Sequence, residues 1–186
     1  MQTEINNTTN ILKQGGIILY PTDTVWGIGC DATNFEAVEK IFQLKQRVET
    51  KSMICLVSDL KMLNHYIQDI PEAAYNILKY AVKPTTIIYD KPIRVTENLI
   101  ANDNTLAIRV VKDGFCNGLI RKLKKPIVST SANISDKPTP KSFKEISQEI
   151  IKGVDYVVNL PSEKSEAKPS SIIKLSNDGK VTVIRK

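Results

Sequence analysis

The sequence predicts an α/β fold: one domain, residues 1–186, on a twisted, mixed β-sheet flanked by helices. Three observations point there. Short runs of β-branched residues alternate with amphipathic helical patterns along most of the chain. A late hairpin signal, Asn177-Asp178-Gly179, requires that some neighbouring strands be antiparallel. The length, 186 residues, suits one domain that buries roughly 70% of its unfolded surface without staples or metal.

Residues 5–14 carry a weak helical pattern closed by Gly15-Gly16, and residues 17–20 form a short buried strand ended by Pro21. Thr33 and Glu36 have capping-box spacing before a helix with Phe35, Val38, Ile41 and Phe42 on one face, running to Lys45. Residues 53–57 read as a strand, a helix follows from Asp59, and another runs from Pro71 to Ala81. Residues 85–89 and 105–110 are strands by their β-branched content. Leu119, Ile120 and Leu123 give residues 115–123 a helical face; Pro126 then leads into a strand over 127–129. Ser142 and Glu145 repeat the capping-box spacing and open a helix expected to bury Phe143, Ile146 and Ile150. Strands near 156–159, 170–175 and 180–185 complete the chain, and the polar stretch from Pro161 to Pro169 reads as a mobile loop.

Composition narrows the function. At 41% hydrophobic and 25% charged the chain is an ordinary globular protein, and its 8 Gly and 3 Cys exclude collagen-like and disulfide-scaffold designs. The formal charge of +6 favours an anionic partner, a nucleotide or RNA. Cys30, Cys55 and Cys116 lie far apart with no C-x-x-C, so they read as buried side chains in a reducing compartment. The N-terminus lacks a secretory signature and no apolar run approaches a membrane span, which makes the cytoplasm the expected location.

Four segments place polar groups where open α/β sheets hold ligands. In Tyr20-Pro-Thr-Asp-Thr-Val-Trp-Gly-Ile-Gly29 two threonines flank an acid, and two glycines permit a tight turn or close backbone approach. Lys45, Arg47 and Lys51 cluster just past a helix; they suit a triphosphate, or equally a solvated helix end. Ser129-Thr-Ser-Ala-Asn133 is poor strand material directly after an apolar strand, and its hydroxyls and amide suit phosphate or a small substrate. Arg109 stands among apolar neighbours in a strand and needs an anion, either a side-chain carboxylate or a substrate. The lone histidine, His65, has no motif around it, so a Ser-His triad is excluded. Glycine-rich nucleotide fingerprints and metal-ligand spacing are both absent.

Taken in order, Tyr20–Gly29, Lys45-x-Arg47, Ile108-Arg-Val110, Pro126–Asn133 with Ser135 and Pro138, Pro169-Ser-Ser-Ile-Ile173 and Val183-Ile-Arg185 resemble the threonylcarbamoyl-AMP synthase family, the YrdC-like domain, in its short single-domain form. The resemblance implies a sheet flanked by helices around a basic cavity. It implies synthesis of threonylcarbamoyl-AMP from L-threonine, bicarbonate or CO2, and ATP, with release of pyrophosphate. That is the first step in modifying the tRNA adenosine beside the anticodon; threonylcarbamoyl-transferase partner proteins complete it, and contact with tRNA is expected.

By position, the resemblance makes Lys45, Arg47, Ser131 and Asn133 catalytic. It puts Arg47, Lys51, Thr105, Ser131, Thr139 and Arg185 on ATP, and Thr24, Arg109, Ser129 and Ser170 on threonine, with Mg²⁺ on the phosphates. Lys45→Ala and Arg47→Ala should then lose turnover in a folded protein. The chain departs from the family's Trp-Pro-Gly-Pro-Leu-Thr at Ala81-Val-Lys-Pro-Thr-Thr86, keeping Pro84 and Thr86. Two alternatives stay open: a non-catalytic duplex-RNA or tRNA-binding module, and a related carbamoyl-adenylating enzyme of the hydrogenase-maturation type.

Overall fold

Helical start signals are local, and most act where the sequence places them. The computed structural model describes residues 1–46, 53–112, 114–160 and 169–186. Helix α1 spans Gln2–Lys13 and α2 spans Phe35–Leu44. The cap of α2 is Asn34, whose side chain accepts from the Ala37 N–H; Thr33 instead donates its hydroxyl to Asp31. Asp59 caps α3, Leu60–Tyr66, and Pro71 precedes α4, Glu72–Tyr80. Helix α5 is Gly114–Leu123.

The second capping box fails. Ser142 and Glu145 sit on a single 3₁₀ turn, Phe143–Glu145, and Ser147 caps a separate short helix α6, Gln148–Gly153. Glu145 accepts from the Lys141 N–H and the Ser142 hydroxyl, not from the Ser142 backbone N–H that a capping box requires. Ile146 and Ile150 are buried as expected, but Phe143 is exposed and meets Trp26, with ring centroids 5.1 Å apart.

One nine-stranded mixed sheet organises the molecule. Its strands are β1 Ile18–Pro21, β2 Trp26–Gly29, β3 Ile54–Val57, β4 Thr85–Asp90, β5 Thr105–Val110, β6 Ile127–Ser131, β7 Tyr156–Val157, β8 Ser171–Leu175 and β9 Val181–Arg185. In space they run β7-β1-β2-β6-β3-β5-β4-β8-β9. The Asn177–Gly179 hairpin forms, with Gly179 at φ +84.

Two strand expectations need correction. Trp26–Gly29 is a strand, not part of a turn, and it closes an early antiparallel hairpin with β1 while Gly27 lines the hollow described below. Strand β6 continues through Thr130 to Ser131, because β2 supplies the pairing partners Gly27 and Ile28 that their own side chains do not advertise. The stretch 161–168 lies outside the described residues.

Period-two alternation divides the core. Cys55, Val57, Ile87, Ile108 and Val128 face one cluster with Val38 and Ile41 of α2, Leu63 of α3 and Leu78 of α4. Ile18, Tyr20, Leu56 and Ile127 face the other, with Leu12 of α1 and Leu119 and Ile120 of α5. Arg109 alternates with Ile108 and so lies on this second face. There, beyond α1 and α5, the sheet carries polar groups in place of a third helix. None of the described helices is long and apolar enough to cross a membrane.

The three cysteines are buried, which raises all their pKa values; Cys55 and Cys116 are pushed up to about 12. The reaction of Cys55 and Cys116 with Ellman's reagent at pH 8 should therefore be about 10³-fold slower in the folded than in the unfolded protein. Folded thiols keep protons that unfolded thiols release. Stability from this source is undiminished below about pH 9 and falls as pH rises towards about 12, a loss that urea titrations at stepped alkaline pH would reveal.

Candidate active site

A hollow of about 290 Å³ lies over the uncovered part of that second face. Thr24, Arg109, Ser129, Ser131, Thr139, Ser170 and Arg185 all line it, together with Thr22 and Thr130. Ala107, Ile54, Ile88, Ile172 and Ile184 supply the apolar part. No described lining residue is acidic, so Arg109 and Arg185 leave the wall with a positive excess.

Arg109 is the centre of the arrangement. It is 3% exposed, its Nη2 donates to Asp23 Oδ1 at 2.8 Å, and its Nη1 donates to Thr24 Oγ1 at 3.4 Å. The Nε–H is buried with no hydrogen-bond partner, a rare state for a guanidinium donor. A ligand carboxylate or phosphate oxygen would satisfy it. Arg185 Nε donates to the Ser170 carbonyl at 2.9 Å, and Ser170 Oγ pairs with Thr86 Oγ1 at 2.8 Å. Desolvation first, then the charge of Arg109, pulls the Arg185 pKa below its ordinary value. Two guanidinium groups close enough to feel one another again favour an anion between them.

The turn between β1 and β2 is rigid. Thr22 Oγ1 accepts from the Thr24 and Val25 N–H groups at 3.0 and 3.1 Å and donates to the Val25 carbonyl at 2.7 Å. The glycines of β2 then let three strands close up. A Cβ on Gly29 would lie 2.5 Å from Val128 O and 2.8 Å from the Tyr20 ring, and one on Gly27 would crowd Thr22 Cγ2 at 3.2 Å. Tyr20 is fully buried behind Ser129; burial drives its phenol well above the usual range, against the lowering effect of its hydrogen bond with that serine.

Lys45 is placed otherwise than a phosphate-binding helix end suggests. It is 1% exposed, and its ammonium donates to the carbonyls of Ser131 and Asn133, both at 2.5 Å. Its own carbonyl accepts from the Ser135 N–H at 2.8 Å. Lys45 thus ties the end of α2 to the loop after β6. Asn133 Nδ2 donates to the carbonyls of Ile134 and Lys137, while its Oδ1 is buried without a partner. Neither Lys45 nor Asn133 lines the hollow itself; they shape the loop bearing Ser131 and Thr139.

Thr105 is not brought to the hollow. It opens β5, four residues before Arg109 and so about 13 Å along the strand, and its hydroxyl donates to Asp103. Arg47 and Lys51 lie outside the described residues. Sequence reasoning missed Asp23 as the anion opposite Arg109, and Thr86 beneath Ser170. It also missed Ala107, whose signal was legible: two residues before Arg109 on a strand is the same face.

The family profile described as "Telomere recombination" (Sua5/YciO/YrdC) matches residues 10–186. The chain belongs to this family. Within it, the chain is 32% identical over 183 residues to the threonylcarbamoyl-AMP synthase of Pseudoalteromonas translucida, covering 97% of each protein. It is 32% identical over 166 residues to that of Idiomarina loihiensis, covering 88% of this chain and 89% of the relative. Among solved structures, P. abyssi Sua5 complexed with L-threonine superposes with a TM-score of 0.89 at 25% identity; all of this chain is covered, and it spans 54% of the Sua5 chain. E. coli YciO gives 0.86 at 26% identity, with 90% of its chain covered. HypF, at 22% identity and a TM-score of 0.82, shares the fold.

Proposed function

We propose that this protein is a threonylcarbamoyl-AMP synthase that joins L-threonine, CO2 or bicarbonate, and ATP. The observation that carries the reading is the hollow: two arginines and a ring of short hydroxyls, with no carboxylate among its described lining residues, in a member of a family whose Sua5 structure was solved with L-threonine. Arg109 takes the threonine carboxylate on its unfilled Nε–H, and Thr24, Ser129 and Ser170 hold the amine and hydroxyl. Ser131, Thr139 and Arg185, with Arg47 and Lys51, hold the triphosphate. Lys45 and Asn133 act on the loop that carries Ser131.

The chemistry is positional. The neutral threonine amine adds to CO2 and loses a proton to give a carbamate. A carbamate oxygen attacks the α-phosphorus in line, the bond to the bridging oxygen breaks, and pyrophosphate leaves. Arg185 and the hydroxyls offset the charge gathering on the leaving group, while the hollow keeps an unstable carbamate beside ATP. No covalent enzyme intermediate is required, consistent with an exposed His65 that has no serine motif around it. The described residues do not fit a protein-held Mg²⁺: the lining has no carboxylate and no group of three or more His, Cys, Asp or Glu side chains converges elsewhere among them. No step is assigned to that ion.

Delivery of the product to tRNA through a transferase partner in the cytoplasm follows from this reading. The test is mass spectrometry of the full chain with ATP, bicarbonate and threonine, each omitted in turn. Threonylcarbamoyl-adenylate and pyrophosphate should appear only when all three are present. Tight, salt-sensitive tRNA binding with no threonine-dependent pyrophosphate would establish the RNA-module alternative instead.

A further inference from the structure

Among the described residues Asp23 is the one carboxylate that touches the guanidinium at the centre of the site, yet it does not line the hollow. It lines instead a neighbouring apolar cavity of about 1110 Å³, with Leu78, Phe115 and Cys116 among its walls. Asp23 is about one-third exposed there, whereas the Arg109 side chain is 4% exposed. Its position is set independently of Arg109, because the Thr22 hydroxyl fixes the turn that carries it. A rigid acceptor behind a buried fork leaves the fork one orientation. In that orientation Nη2 and Nη1 are each engaged, and Nε is the guanidinium nitrogen left without a partner.

We propose that Asp23 is a positioning residue for amino-acid binding: it holds Arg109 from behind, so that the Nε–H edge is preset for the substrate carboxylate. This rests on the function proposed above. Without the Asp23 charge the guanidinium rotates, and the substrate must order it on binding. The cost falls on threonine affinity and not on the phosphoryl-transfer step, which Arg109 does not touch.

The expected result for Asp23→Asn is a threonine KM raised about ten-fold or more, with kcat at saturating threonine and the KM for ATP within about three-fold of wild type. Asp23→Glu, which keeps the charge but sets it one methylene out, should raise the threonine KM by a smaller factor, and it carries the test if the asparagine protein does not fold. An unchanged threonine KM in a folded variant overturns the proposal. A wild type with no threonine-dependent turnover sinks the function itself. In that case NMR of ¹⁵N-arginine protein decides the positioning: resolved Arg109 Nη resonances in wild type should merge in Asp23→Asn, and the absence of that change overturns it.

Discussion

Arg109→Ala should abolish threonine-dependent pyrophosphate release, lowering kcat/KM for threonine by about 10²- to 10³-fold. The guanidinium is buried, paired to Asp23 and left with an open Nε–H, so its removal deletes both the carboxylate anchor and the charge that opposes Asp23. Asp23 would then repel the substrate it indirectly recruits. Arg109→Lys should not rescue activity, because an ammonium cannot engage Asp23, Thr24 and a carboxylate in one plane. Steady-state kinetics with threonine varied at saturating ATP, beside circular dichroism to confirm folding, makes the comparison. Either variant retaining turnover within about three-fold of wild type would remove Arg109 from the substrate.

Lys45→Met should cost stability as well as activity. From motif position alone, a lysine past a helix end suggests a phosphate contact whose loss leaves the fold intact. The structure instead commits its ammonium to two carbonyls in a nearly sealed site. Hydrogen bonds to a charged group are worth about 1.5–3 kcal/mol each, so losing two costs about 3 kcal/mol or more. In a chain of this size that lowers Tm by roughly 6–12 °C. Methionine keeps the packing volume, so the drop reports the ammonium and not a cavity. Differential scanning calorimetry reads the Tm, and pyrophosphate release at a temperature where the variant is folded reads the effect on Ser131. An unchanged Tm would show that the loop after β6 stands without Lys45.

Legibility followed the range of the forces involved. The N-caps at Asp59 and Asn34 and the Asn177–Gly179 turn act within a few residues; the last and the helix start at Asp59 were legible, while Asn34 was displaced by one position because Asp31 claims the Thr33 hydroxyl. Strand β2 was hidden, since Trp-Gly-Ile-Gly has the glycines of a turn and becomes a strand only when β1 and β6 flank it. The apolar strands announced themselves, but the end of β6 did not: the polar side chains of Thr130 and Ser131 disguise a paired backbone. The failed capping box at Ser142 was a local match overridden by the chain's turn toward Trp26.

By itself the sequence determined the kind of elements, their order, the appetite for an anion and, through short ordered motifs, the family. Those depend on side-chain type and on spacing of a few residues. Only the tertiary structure decided which charges are spent and which are left open. Asp23 takes one arm of Arg109, and Lys45 binds the Ser131 carbonyl, each across 86 residues of chain. Thr105, by contrast, stays with Asp103 at the wrong end of its strand. Pairings at that separation are set by sheet register and burial, where a desolvated charge takes whatever partner packing brings within reach.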